Sequence, residues 1–240
     1  MKKAVVEIIY QDKDIIVINK PSGLSVTADR TGRAQLRDVL AEQLGSRTGS
    51  ELLLIHRLDK ETSGVMILAV NPKAQTEFCG YFENRQVRKT YLALVTGVLP
   101  TQEGAVDTPL AQDPRNPQLM RIARKKGKQA LTRWRLLADF DMTALLAVTP
   151  ETGRTHQIRI HLPSIGLPLA IDPLYGSSKP LLLSEFKSDY RLGKDQIEKP
   201  LIDRLTLHAY QLSLPPETGN LTGNSSQRPD CFVARLDKKF

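Results

Sequence analysis

The sequence predicts an α+β fold on a mixed, mostly antiparallel sheet. Three observations lead there: short β-branched and apolar runs recur along the chain, only a few segments carry helical periodicity, and strands and helices do not alternate as regular βαβ units would. With 240 residues, 40% of them hydrophobic and 25% charged, the chain has ordinary globular composition and enough length for a sizeable core.

Val5 to Tyr10 and Ile15 to Asn19 are β-branched runs separated by Gln11-Asp12-Lys13-Asp14, a strand reversal, and Pro21-Ser22-Gly23 ends the second run with turn chemistry. Leu36, Val39, Leu40 and Leu44 recur at spacings of three and four, so Gln35 to Leu44 reads as an amphipathic helix that Gly45 terminates. Leu52 to Leu58 and Val65 to Val70 read as two strands, with Asp59-Lys60-Glu61-Thr62-Ser63-Gly64 held as a loop between them. Asn71-Pro72 has the form of a cap followed by proline at the first helical position, and Phe78, Tyr81 and Phe82 give that helix an apolar stripe to about Asn84.

Val87 to Thr96 is expected to be a strand, and Ala130 to Ala138 with Met142 to Thr149 a hairpin turned at Asp139-Phe140-Asp141. Thr155 to Leu162 reads as a short helix stopped by Pro163, Leu205 to Leu214 as a late strand, and Phe232 to Leu236 as an edge strand. Ser177 to Lys199 is polar and irregular, a surface insertion.

Lys and Arg number 34 against 26 for Asp and Glu, a net charge of +8. The run from Arg115 to Arg135 holds Arg115, Arg121, Arg124, Lys125, Lys126, Lys128, Arg133 and Arg135 with no acidic residue, which equals that whole excess. A solvated face is the bland interpretation of such a run. Clustered cations suit phosphate neutralisation better than scattered ones, so a basic hairpin around Lys126-Gly127-Lys128, with Trp134 among the arginines, is expected to face a nucleic acid.

Several classes are excluded. Two cysteines, Cys79 and Cys231, without a CxxC pair make neither a disulfide scaffold nor a cysteine zinc site. No run approaches the roughly 18 apolar residues of a membrane span, and the N-terminus has no cleavage signature of a secretory signal. HRLDKETSG differs from the kinase catalytic loop by transposition of Leu58 and Asp59, and no glycine-rich phosphate loop, serine elbow or deaminase signature is present. His156 and His161 are five apart, about 140° around a helix, off the shared face that zinc pairs use. All four histidines are expected to be hydrogen-bonded struts. In the second dense polar motif, a loop glycine leads into a helix carrying Arg154 and Arg159, an arrangement that binds phosphate or pairs with a carboxylate.

HRLDKETSG, Arg88-Lys89-Thr90-Tyr91-Leu92-Ala93-Leu94, TGRTHQIRIHL, Asp172-Pro173-Leu174-Tyr175-Gly176 and Leu207-His208-Ala209 together resemble the RluA family of pseudouridine synthases, in that family's order, and DIIVINKPSGL resembles its first motif. The resemblance implies isomerisation of a uridine to pseudouridine in ribosomal or transfer RNA, by a pseudouridine synthase fold of two subdomains flanking a cleft, with neither cofactor nor metal. It implies that Asp59 is the essential carboxylate, either nucleophile at the anomeric carbon or base at its neighbour. It implies that Tyr91 contacts the target base, that Arg159 forms the ion pair that positions Asp59, and that Arg57 lies against the RNA. Ile158 and Leu207 are expected to line the base pocket with Tyr91. Arg154, Arg121, Arg124, Lys125, Lys126 and Lys128 are expected to bind RNA. Residues 1–240 are expected to form one catalytic domain without a separate N-terminal RNA-binding domain, a cytoplasmic monomer apart from membranes. A noncatalytic RNA-binding protein of the same fold and a uracil-releasing glycosylase are the rival expectations.

Elementary chemistry agrees. Breaking a glycosidic bond and rejoining the base through carbon can run on one carboxylate, whereas glycoside hydrolysis ordinarily uses two. The detached uracil needs a platform, and aromatic stacking is worth about 1–3 kcal/mol per base.

Overall fold

A computed structural model describes residues 5–27, 35–45, 52–123, 125–191, 193, 196–216, 228–236 and 240. The chain divides into two compact units: Met1–Thr90 with Ala209–Arg235, and Tyr91–His208 with Leu236–Phe240.

In the first unit β1 (Glu7–Gln11) and β2 (Ile15–Lys20) pair antiparallel. The reversal is made by Asp12, whose Oδ1 accepts the backbone N–H groups of Asp14 at 2.7 Å and Ile15 at 2.8 Å. β2 pairs antiparallel with β4 (Ser63–Ala69), from Ile15 opposite Ala69 to Lys20 opposite Gly64. Every residue of β4 is buried, which is why the strand reads as a continuous apolar run without alternation. α1 (Leu36–Leu44) buries Leu36 and Leu40 and ends at Gly45, whose φ is +87°. α2 (Pro72–Glu83) starts as expected: Asn71 Oδ1 accepts from Ala74 N at 2.9 Å, and Pro72 occupies the position whose N–H would have no partner. β11 (Leu207–Ser213) pairs with β12 (Cys231–Val233) through Gln211 to Ser213.

The second unit is an antiparallel sheet in which β10 (Ala144–Pro150) lies between β5 (Arg88–Val95) and β9 (Leu131–Asp139), with β6 (Glu103–Asp107) beside β9. The β9–β10 hairpin forms as expected but turns at residues 140–143, because Asp139 still pairs with Ala144 and Phe140 N donates to Thr143 O at 2.8 Å, and Asp141 takes a φ of +64° there. α3 (Gln157–Ser164) buries Ile158 and Leu162 in the cluster formed by Ala93, Val95, Trp134, Leu146, Val148 and Leu167. A separate hairpin, β7 (Leu110–Gln112) with β8 (Met120–Ile122), forms a two-stranded sheet. Ser177 to Lys199 is mostly exposed in its described part and holds one short helix, α4 (Leu183–Phe186).

Four expectations are corrected. The strand expected from Leu52 to Leu58 is only β3 (Leu53–Leu54), paired to β4 at Ala69 and Leu68. Pro163 does not stop α3 but lies within its last turn, because the N–H it lacks removes one bond close to an end where the helix closes anyway. The basic hairpin is β7–β8, turned at residues 113–119. Lys125, Lys126 and Gly127 form a following turn, with Lys126 at φ +63°, that brings Lys128 back to Leu110 through two backbone hydrogen bonds of 2.8 and 2.9 Å. Trp134 is 4% exposed and belongs to the core. The strand alternation that exposes Arg133 and Arg135 turns the indole to the opposite face.

Candidate functional site

Asp59 sits in a turn of the first unit closed by Thr62 N donating to Asp59 O at 3.1 Å. The turn is held from both ends. On the approach, β3 stops at Leu54 opposite Leu68, and the next inward N–H of β4, that of Ile67, donates to Nε2 of His56 at 3.0 Å. A side chain thus replaces the ladder, and the backbone is released from the sheet to form the loop. The imidazole stacks on Phe82 with centroids 4.4 Å apart and planes at 18°. Loss of solvation, with Lys89 nearby, pushes the pKa of His56 down to about 3. His56 is therefore neutral with its proton on Nδ1.

On the far side the loop rests on residues 20–24. Lys20 is 0% exposed, and its ammonium donates to the carbonyls of Pro21, Leu24 and Lys60, each at 2.9 Å. Gly23 N also donates to Lys60 O at 3.0 Å, and Ser22 Oγ donates to Glu61 O at 2.6 Å. Burying a cation is costly unless its donors are used, and here three carbonyls take them. Gly64 then returns the chain to β4 at φ +116°, where any Cβ would collide with the Ala209 backbone. Asp59 itself is half-buried and Arg57 is exposed.

The other sequence-predicted residues lie in the second unit. Tyr91, on β5 opposite Val148, is half-buried and packs against the core cluster that contains Ile158 and Leu207. Those two are 5% and 3% exposed and belong to the core cluster against which Tyr91 packs. Arg159 is 4% exposed, and its buried carboxylate partner within this unit is Asp172, bound through Nε at 2.9 Å and Nη2 at 2.6 Å. Sequence reading placed Asp172 only within a motif of the family resemblance and missed this ion pair. The requirement that a buried arginine have a partner was the available signal.

α3 is fixed by a hydrogen-bond relay written into TGRTHQIRIH. Gln157 Oε1 accepts from Thr152 Oγ1 at 2.7 Å and Arg154 N at 2.8 Å, while its Nε2 donates to Leu131 O at 2.8 Å and Thr132 Oγ1 at 2.9 Å. One turn later His161 Nε2 donates to Thr108 O at 3.0 Å, which leaves Nδ1 to accept from Thr132 Oγ1 at 2.8 Å. Burial lowers the His161 pKa, outweighing the hydrogen bond to Thr108 and the charge of Asp107, and so preserves this pattern. His56 and His161 are struts, as the sequence predicts.

Arg154 is half-buried and donates from Nε to Gln129 O at 3.1 Å, tying the GRTH loop to the end of the basic segment. Arg121, Lys125, Lys126 and Lys128 are exposed on that segment, while Arg124 lies outside the described residues. Among the described residues no cluster of three or more His, Cys, Asp or Glu could hold a metal ion, and no helix is long and apolar enough to cross a membrane.

Comparison with known proteins gives a consistent set of likenesses. Residues 14–164 match the family described as RNA pseudouridylate synthase. The ribosomal large subunit pseudouridine synthase D of Nitrosomonas europaea is 37% identical over 237 residues, covering 96% of this chain and 64% of that protein. An uncharacterized RNA pseudouridine synthase of Zymomonas mobilis is 41% identical over 175 residues, 72% of this chain and 79% of that protein. The chain thus spans less than two thirds of the Nitrosomonas relative and most of the Zymomonas one. In fold it resembles human RNA pseudouridylate synthase domain containing 1, with a TM-score of 0.69 at 24% identity over 97% of this chain and 84% of that one.

Proposed function

The chain belongs to the RNA pseudouridylate synthase family, and from that membership we propose that it isomerises a uridine of RNA to pseudouridine. The substrate is a ribosomal RNA, in keeping with the name of the Nitrosomonas relative, or a transfer RNA. The N1–C1′ bond of the uridine breaks and a C5–C1′ bond forms. The proton lost from C5 is balanced by one gained at N1, so neither redox partner, cofactor nor metal is required.

Asp59 supplies the carboxylate that acts on the ribose. Tyr91 provides the platform that retains the detached uracil, and Arg159 provides the positive charge paired with the carboxylate. Arg57 meets the RNA where the nucleotide has been extruded, at an unstacking cost of a few kcal/mol that backbone contacts of the exposed cations offset. The protein acts in the cytoplasm as a monomer, with residues 1–240 working as one catalytic domain.

The observation that carries this reading is the construction around Asp59. A strut and a buried ammonium hold the half-buried Asp59 in a fixed turn, which is what a reaction that depends on the placement of its carboxylate demands. The test replaces Asp59 by Asn and measures pseudouridine by mass spectrometry after incubation with ribosomal and transfer RNA. The expected outcome is loss of product with RNA affinity kept within about threefold. Wild-type rates in Asp59→Asn overturn the mechanism, free uracil from the wild type identifies a glycosylase, and binding without any product identifies a noncatalytic RNA-binding protein. Comparing pseudouridine maps of total RNA from cells with and without the gene identifies the modified position.

A further inference from the structure

A buried guanidinium has to be both neutralised and aimed, and in the second unit Arg159 shows how this is done. Asp172 is 2% exposed, and its Oδ1 accepts the backbone N–H groups of Leu174 at 3.0 Å and Tyr175 at 3.2 Å. The turn after Asp172 therefore fixes the carboxylate independently of the arginine. That carboxylate grips the Nε–Nη2 edge of Arg159, so any further partner meets the guanidinium from the Nη1 side.

The same turn delivers Tyr175, whose ring lies 5.2 Å from the guanidinium carbon. Its hydroxyl accepts the N–H of Met120 on β8 at 2.9 Å and meets His156 Nδ1 at 2.6 Å. His156 is the residue before α3, at a φ of +54° that non-glycine residues seldom adopt. One tyrosine therefore touches the cation, the start of the helix that carries it and the hairpin that precedes the lysine turn.

We propose that Asp172 and Tyr175 are positioning residues for Arg159, and that Tyr175 ties the guanidinium to the β7–β8 hairpin on which RNA is seated. This rests on the reading of the chain as an RNA pseudouridine synthase. Asp172 sets which edge of Arg159 faces the reaction. Tyr175 makes that setting depend on how the hairpin is docked.

Three variants test it under multiple- and single-turnover conditions. Asp172→Asn keeps an oxygen for the two turn N–H groups and removes the charge; it should lower kcat by about tenfold or more with KM for RNA changed less than about threefold. In an Arg159→Lys background, where no fork remains to be gripped, Asp172→Asn should add less than about threefold. Tyr175→Phe keeps the ring under the guanidinium and removes the hairpin link, so KM for RNA should rise by about tenfold with a smaller change in kcat. Full additivity of Asp172→Asn with Arg159→Lys, or equal effects of Tyr175→Phe on kcat and KM, would overturn the proposal and leave the enzymatic reading intact. Hydrogen exchange at the Arg159 Nε–H, followed by nitrogen-15 NMR, separates the two failures because it needs no turnover. Protection lost in Asp172→Asn supports the clamp even if the wild type makes no pseudouridine, and an unprotected Nε–H in the wild type overturns it.

Discussion

Mild acid should weaken the first unit through His56. The imidazole is taken from water against Phe82 and lies near the ammonium of Lys89, so its pKa falls from 6.5 to about 3. Protonation would also turn Nε2, which accepts from Ile67 N, into a donor facing a donor. The unfolded chain takes up this proton near its ordinary value while the folded chain resists, so between those two values the unfolded state binds more protons and stability falls as pH falls. One pH unit in that window corresponds to about 1.4 kcal/mol, so the His56 contribution should be about 2 kcal/mol smaller at pH 5 than at neutrality. His161, lowered by burial, acts in the same direction. Asp12 does not interfere. Burial would raise its pKa, but Arg228 and the N–H groups of Ile15 and Asp14 outweigh this and hold it below 3.8, so its contribution is lost only in stronger acid. Urea denaturation of the wild type and His56→Gln at pH 7, 6 and 5 isolates the effect, because glutamine still offers an acceptor to Ile67 and does not titrate. The stability difference between the two proteins should shrink by about 2 kcal/mol from pH 7 to pH 5. A difference that stays constant, or an NMR titration placing His56 near its ordinary value, would refute the reasoning.

Gly64→Ala combines an unfavourable backbone conformation with a collision against the Ala209 backbone, so it should cost at least about 2 kcal/mol in urea denaturation, and an unchanged midpoint would contradict the close approach. Trp134→Ala removes a core indole and should cost about 3–5 kcal/mol with little change in the salt dependence of RNA binding; an indole that met RNA would instead change affinity without changing stability. Replacing Lys125 and Lys126 by Ala should weaken RNA binding and flatten the plot of log affinity against log salt by about one for each phosphate no longer neutralised, whereas an unaltered slope removes this turn from the RNA interface.

Local chemistry was legible in the sequence wherever neighbours along the chain decide the outcome. Asn71-Pro72 specifies the start of α2 with a side-chain acceptor and a missing donor, and Asp12 closes the β1–β2 reversal with its own oxygen. The alternation in Arg133-Trp134-Arg135 was equally legible, and it was the density of positive charge that drew the tryptophan outward. Charge records where cations lie along the chain but not which strands pair. Leu110 bonds to Lys128 and also pairs with Ile122, so the hairpin ends before the lysine turn begins.

The candidate site divides along the same line. HRLDKETSG marks Asp59 as a carboxylate in a loop, but nothing in that string says that the loop is cast against Lys20, whose ammonium bonds to a carbonyl 40 residues further along the chain. A lysine ending an apolar strand reads as the edge of the sheet, where solvent takes its charge. Here β2 continues inward to Lys20 opposite Gly64, and the absence of a side chain on that glycine lies at the position where the loop rejoins the sheet. The three carbonyls that the Lys20 ammonium reaches belong to Pro21, Leu24 and Lys60, and since every residue carries a carbonyl, sequence reading has no distinctive residue type to look for there. Asp172, by contrast, stands 13 residues from Arg159 and could have been found by asking which carboxylate neutralises an arginine placed between Ile158 and Ile160. Buried charges paired with charges can therefore be sought from sequence, while backbone contacts such as the three carbonyls that meet Lys20 have to be seen in the fold.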